Sequence, residues 1–166
     1  MNYLNYASPL GKLLLAASAR GLAGVYFEQH RHFQGSAGWR QDEQHPLLLQ
    51  ARSQLQEYFA GQRHGFDLAL DFSAGSAFQQ AVWRALLDLP YGETESYAGL
   101  ARRLGKPAAV RAVGAANGRN PLSIIVPCHR VIASSGALTG YAGGLPNKQA
   151  LLALEAGQVA KLRPAA

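Results

Sequence analysis

The sequence predicts an α/β fold of the segregated, α+β kind: a small sheet-plus-helix unit, then a mostly helical unit with a helix-turn-helix. Three observations carry this. In the first third, apolar residues fall in short segments divided by turn residues, and Phe66, Leu68, Leu70 and Phe72 later alternate strictly. Beyond residue 76 the apolar spacing becomes helical, with starts and stops at Ser, Pro and Gly. Between the two lies a break of small residues at 73–77, which sets units of residues 1–75 and 76–166. A chain of 166 residues can bury a core in this arrangement.

Residues 3–8, 12–17 and 22–27 read as strands joined by the turns Pro9-Leu10-Gly11 and Ser18-Ala19-Arg20-Gly21. Residues 29–44 are polar, carry Gly35 and Gly38, and read as a loop. Pro46 opens a helix with Leu47, Leu48, Ala51, Leu55, Tyr58 and Phe59 on one stripe and Gly61 as the stop. Residues 66–72 give a half-buried strand. In the second unit Ser76 caps a helix over 77–89, with Phe78, Val82, Ala85 and Leu86 inward and Pro90 and Gly92 ending it. A short helix over 96–104 stops at Gly105, and Pro107 fits the first turn of the next, which runs to Asn117. That pair and its Gly-containing link form the helix-turn-helix. Residues 122–126 are a short apolar run, and 134–144 a Gly/Ser-rich loop. Pro146 starts a last helix that ends near Gly157.

A single cysteine excludes an internal disulfide and any Cys-based zinc or iron–sulfur cluster, and argues for a reducing compartment. Four of the five histidines (His30, His32, His45, His64) lie in the first unit and read as solvated loop residues, not metal ligands. No apolar run approaches the roughly 18 residues of a membrane helix, so no membrane association is expected and the chain reads as cytoplasmic. The charge is lopsided. Residues 1–96 hold 7 Lys and Arg against 9 Asp and Glu, a net of −2, while residues 97–166 hold 9 against the single acid Glu155, a net of +8. Such a basic half suits a polyanion, either nucleic acid or an anionic membrane surface.

Two segments carry chemistry. Between Arg111 and Arg119 the second helix of the pair has almost no bulk: Ala112, Val113, Gly114, Ala115, Ala116, Asn117, Gly118. Small residues permit tight helix packing, and equally a helix pressed into a DNA groove with Arg111 as the long side chain. Cys128 stands between Pro127 and His129. A lone Cys is ordinarily a small buried hydrophobe. As a nucleophile it must become a thiolate, which needs a basic neighbour. On an extended strand adjacent side chains point to opposite faces, so His129 serves Cys128 only if the chain turns there or a water bridges them. A Cys–His pair also suits a cysteine hydrolase that turns over, and a basic helix pair suits a noncatalytic DNA-binding module. A transcription factor fits less well, because residues 108–118 lack the long polar side chains that read base edges.

Pro127-Cys128-His129-Arg130-Val131-Ile132, with Arg111-Ala112-Val113-Gly114 before it and Ser135-Gly136…Gly140-Tyr141-Ala142-Gly143-Gly144 after it, resembles the O6-alkylguanine-DNA alkyltransferases. The similarity is dense from Phe78 to Glu155 and includes Pro90-Tyr91-Gly92-Glu93-Thr94 and Asn117-Gly118-Arg119-Asn120-Pro121. The first 75 residues resemble the family's small, ribonuclease-H-like N-terminal domain in pattern only. The resemblance implies a methylated-DNA–protein-cysteine S-methyltransferase. A monomer in solution, with cooperativity on DNA left open, it would act on double-stranded DNA containing O6-alkylguanine, and on O4-alkylthymine, by minor-groove binding and base flipping. Cys128 would take the alkyl group once, with no metal and no cofactor. His129 would act as base through a water, Glu155 would orient His129, and Asn120 would brace the turn. Arg111 would replace the flipped base, with Ala112, Gly114, Ala115, Tyr97 and Arg119 also at the DNA. Tyr97 would polarise the departing guanine, Tyr141 would line the pocket, the Cys128 and Val131 carbonyls would accept from the exocyclic amine, and the Ala142 N–H would approach O6. Ala142 departs from relatives that carry Ser there.

Overall fold

The computed structural model describes residues 1–163. β1 (Asn2–Ser8) and β2 (Gly11–Ala17) form a hairpin, with β3 (Leu22–Phe27) antiparallel to β2. Gly11 closes the first turn at φ +94°, where a side chain would be strained. Register pairs Leu4 with Leu15 and Tyr6 with Leu13, so these four face the core while Asn5 and Ala7 face out.

The loop read over 29–44 contains a short strand, β4 (Arg40–Gln41), parallel to β1. Both residues are exposed, so no apolar pattern marks them; backbone bonds from Arg40 N–H to Met1 O and from Asp42 N–H to Tyr3 O hold the edge. α1 (Pro46–Phe59) lies against the sheet, burying Leu48, Ala51, Leu55, Tyr58 and Phe59, with Gly61 at φ +76° behind it.

Residues 66–72 do not form the expected strand. Phe66, Leu68 and Leu70 do alternate inward, but the segment meets β3 at one bridge only, Leu22 with Leu70. The reason is the partner at Asp67. Its N–H and C=O are both taken by the Gln54 side-chain amide of α1, at 2.9 and 3.0 Å, in place of a neighbouring strand. Burial sets the alternation; a ladder needs backbone alongside.

α2 (Ala77–Leu86) starts in a capping box between Ser76 and Gln79 and ends three residues before the expected limit. Leu87 stays exposed while the chain turns to carry Leu89 inward. β5 (Glu95–Ser96) leads into α3 (Tyr97–Arg103), capped by Ser96. The helix closes with Lys106 N–H to Ala101 O and Gly105 at φ +71°. Pro107 therefore falls in a separate turn, and α4 (Val110–Gly118) begins three residues after it. β6 (Val131–Ile132) pairs parallel with β5, too short a pair to leave a sequence signal. α5 is Leu145–Glu155, with Pro146 in its first turn.

One apolar cluster runs through both halves. β3 is stitched to the second half by Val25 N–H to Pro121 O at 2.8 Å. No helix among the described residues is long and apolar enough to cross a membrane.

Candidate active site and nucleic-acid interface

The apolar run 122–126 is a buried set of turns, not a strand. Ile124 sits at φ +74°, an outlier for a β-branched residue. Such strain, roughly 1–3 kcal/mol, persists only where the surroundings over-determine it. Here Asn120 does so. Its Nδ2 donates to Val126 O and its Oδ1 accepts from Leu122 N–H, both at 2.9 Å. The chain then enters a 3-10 turn, Cys128–Arg130. The turn that His129 needs in order to serve Cys128 is present, although no direct hydrogen bond joins the two among the described residues.

Cys128 is 3% exposed and lies on a cavity of about 370 Å³ bounded by Tyr97, Gly114, Ala115, Asn117, Tyr141 and Ala142. Burial pushes its thiol up to about 11, against smaller opposing effects of Asn120 and Lys148. At neutral pH it rests as a thiol and must lose a proton to react.

His129 follows it in the same turn. His129 is fully buried, and its Nε2 meets Glu155 Oε2 at 2.8 Å. Glu155 also takes Arg130 Nε on Oε1 at 2.6 Å, Arg130 Nη2 on Oε2 at 3.0 Å, and the Tyr58 hydroxyl on Oε2 at 2.5 Å. Burial alone would raise Glu155. Hydrogen bonds from His129 and Arg130 and the charge of Arg130 overcome this and hold it well below the usual carboxylate range. A carboxylate acceptor fixes the proton of His129 on Nε2. Burial lowers His129 despite Glu155, so its resting form is neutral. The lone pair is then on Nδ1, which has no hydrogen-bond partner among the described residues.

Helix α4 packs one face of its small residues and leaves another exposed. Val113, Ala116 and Asn117 are buried, and Trp83 Nε1 of α2 donates to Ala116 O at 2.9 Å. Arg111, Ala112, Ala115 and Arg119 are exposed together on the outer face. Gly114 lies between, turned to the Tyr97 ring and the cavity.

Two family models match the chain. One, described as "6-O-methylguanine DNA methyltransferase, DNA binding domain", covers residues 77–157. The other, "6-O-methylguanine DNA methyltransferase, ribonuclease-like domain", covers residues 1–72. The chain belongs to the 6-O-methylguanine DNA methyltransferase family. It is 48% identical over 155 residues to the methylated-DNA–protein-cysteine methyltransferase of Mycolicibacterium paratuberculosis, across 93% of this chain and 92% of that one. It is 46% identical over 159 residues to the constitutive enzyme of that name from Bacillus subtilis, across 92% and 93%. The crystal structure of Mycobacterium tuberculosis OGT in complex with DNA superposes with a TM-score of 0.87 at 46% identity, covering 95% of this chain and 94% of that one.

In this methyltransferase chain the remaining expected residues fall as follows. Tyr97 OH donates to Thr139 O at 3.2 Å at the cavity's edge. The Tyr141 hydroxyl is buried and has no hydrogen-bond partner among the described residues, and burial raises it well above its ordinary value. The Ala142 carbonyl accepts from Arg31 N–H at 2.8 Å. The Cys128 carbonyl already accepts from Val131 N–H and from Asn117 Nδ2 at 3.4 Å. Val131 O accepts from Lys148 Nζ at 2.7 Å and keeps a second lone pair.

Four supporting residues escape the sequence reading. Tyr58 falls in a core stripe, yet a buried tyrosine hydroxyl requires a partner, and that is the available signal. Arg130 and Asn117 stand out only as parts of motifs. Lys148 is fully buried, with Nζ on Val131 O, Thr139 O and Gly140 O; nothing in its spacing announces this. His30 corrects the reading of solvated histidines. It is buried between Tyr26 and Phe27, its Nδ1 accepts from Phe27 N–H at 3.3 Å, and burial lowers it to about 4.

Proposed function

We propose that this protein repairs DNA by direct reversal, moving the alkyl group of O6-alkylguanine in duplex DNA to Cys128, once per molecule. The observation that carries the reading is the buried Cys128–His129–Glu155 set opening on a cavity beside the bare basic face of α4. The division into residues 1–75 and 76–166 then separates a mainly supporting unit from the one that carries the reacting set. A DNA substrate fits a cytoplasmic protein, and that is our reading of its location.

In this reading Arg111, Ala112, Ala115 and Arg119 face the minor groove, and Arg111 takes the place of the flipped nucleotide. The base enters the Cys128 cavity. The Cys128 thiol proton passes through a water to His129 Nδ1, and Glu155 stabilises the resulting imidazolium. Sulfur attacks the alkyl carbon in line; the S–C bond forms as the C–O6 bond breaks. The guanine leaves as an anion at O6, stabilised by the Ala142 N–H, and gains its proton from the Tyr97 side. O4-alkylthymine offers the same in-line geometry. The product thioether has no leaving group that water or His129 can displace, so the protein is spent. No step calls for a metal or cofactor.

Intact-protein mass after incubation with excess O6-methylguanine duplex tests this. The expected result is one added methyl per chain, mapped to Cys128. Repeated turnover with unchanged mass would instead mean a hydrolase, and tight lesion binding without transfer a sensor.

Two further outcomes are expected. Arg111→Ala slows transfer from the duplex about tenfold or more, relative to the free alkylguanine base, because only the duplex pays an unstacking cost of a few kcal/mol. Equal losses on both substrates would remove Arg111 from the flipping step. Single-turnover rates on saturating duplex fall with acidity as His129 takes a proton. Since His129 lies below its ordinary 6.5, the limb belongs below pH 6.5. A limb centred near pH 11 would show thiol ionisation without His129.

A further inference from the structure

Two cavities meet at one wall. The Cys128 cavity and a second of about 640 Å³, beneath residues 30–39, share Arg31, His32 and Arg119. No carboxylate lines either cavity, and neither arginine is in an ion pair among the described residues. All three side chains are exposed. Partial desolvation and the charges of Arg119 and Arg31 hold His32 below its ordinary value: like charges are gathered here without a counter-charge.

The segment that presents them is well anchored. Arg31 N–H bonds Ala142 O at 2.8 Å, tying it to the loop over Cys128. Phe33 stacks on Tyr26 with ring centroids 4.0 Å apart, and the buried His30 pins the preceding turn. His32 sits at φ +67°, an uncommon conformation for a residue with a side chain, and one kept where surroundings or function demand it. These three residues line the same cavity as Cys128, so a nucleotide whose base entered it would have its phosphates within their reach.

We propose that Arg31, His32 and Arg119 form a collar that grips backbone phosphate of the lesion strand beside the extruded nucleotide. This rests on the base-flipping reading above. It gives the first unit a direct part in DNA binding, through side chains that a scaffold would not need.

The test compares wild type with Arg31→Ala/His32→Asn; Asn tolerates the left-handed backbone at residue 32, and the Arg31 N–H survives any substitution except proline. Transfer is measured from O6-methylguanine duplex and from free O6-benzylguanine, and duplex affinity is measured from about 50 to about 300 mM salt. The collar predicts a duplex-to-free-base rate ratio reduced about tenfold at subsaturating duplex. It also predicts a log Kobs against log salt slope flattened by about one to two, since each phosphate contact contributes about 0.9. Arg31→Lys/His32→Asn should regain about half of the lost slope, because an ammonium still neutralises a phosphate. An unchanged ratio and slope would overturn the proposal. So would equal losses on both substrates, which would place the segment in support of Ala142 instead. Failure of the wild-type protein to alkylate Cys128 would sink the parent reading and not the collar alone.

Discussion

Cys128→Ser leaves a folded protein that binds alkylated duplex and transfers nothing. The change is nearly isosteric at a site 3% exposed, so packing is retained. The chemistry is not. A serine hydroxyl is a far weaker acid and nucleophile than a thiol, and His129 is a weak base, held low by burial. The expected readout is no added mass after prolonged exposure to O6-methylguanine duplex, with Kd for that duplex within about threefold of wild type. A methyl group found in the variant on another side chain, such as His129, would mean that Cys128 is not the sole acceptor. A Kd weakened a hundredfold would mean that the thiol belongs to binding and not to transfer.

Glu155→Gln is the second large effect, and it separates stability from catalysis. In the native protein one carboxylate neutralises Arg130 and accepts from His129 and Tyr58. Both members of the ion pair are nearly inaccessible, at 1% for Glu155 and 7% for Arg130. Removing one partner of a buried pair leaves an uncompensated charge and costs roughly 3–5 kcal/mol. For a chain of this size that is a fall in Tm on the order of 10 °C. The penalty depends on pH. Glu155 is depressed in the folded state, so its contribution is present above the unfolded carboxylate range and fades as pH falls from there through the lowered folded value. The gap between variant and wild type should therefore narrow below about pH 4.5. Adding Arg130→Met should restore most of the stability while transfer stays impaired, because His129 still lacks its anion. Recovery of transfer in the double variant would show that Glu155 serves only to neutralise Arg130.

The amino-acid sequence by itself determined the order of β1–β3 and α1–α5 and pointed to a candidate reacting residue. Strict turn chemistry at Gly11, Gly61, Ser76 and Gly105 made most element limits legible, because glycine at positive φ and serine caps act locally. The Pro-Cys-His-Arg run and the bare helix between Arg111 and Arg119 marked the site because chemistry needs those residue types in any context. What tertiary structure decided is of another kind. Residues 66–72 have a strand's pattern but no strand, since Gln54 took the place of a neighbour. Tyr58 stands 97 positions from Glu155, and Arg31 belongs to the first unit while Ala142 belongs to the second, yet each pair is joined by a hydrogen bond. Period and capping are set within a few residues of chain. The partner of a buried hydroxyl, carboxylate or ammonium is set by which surfaces the apolar core brings together, and no local pattern contains that information.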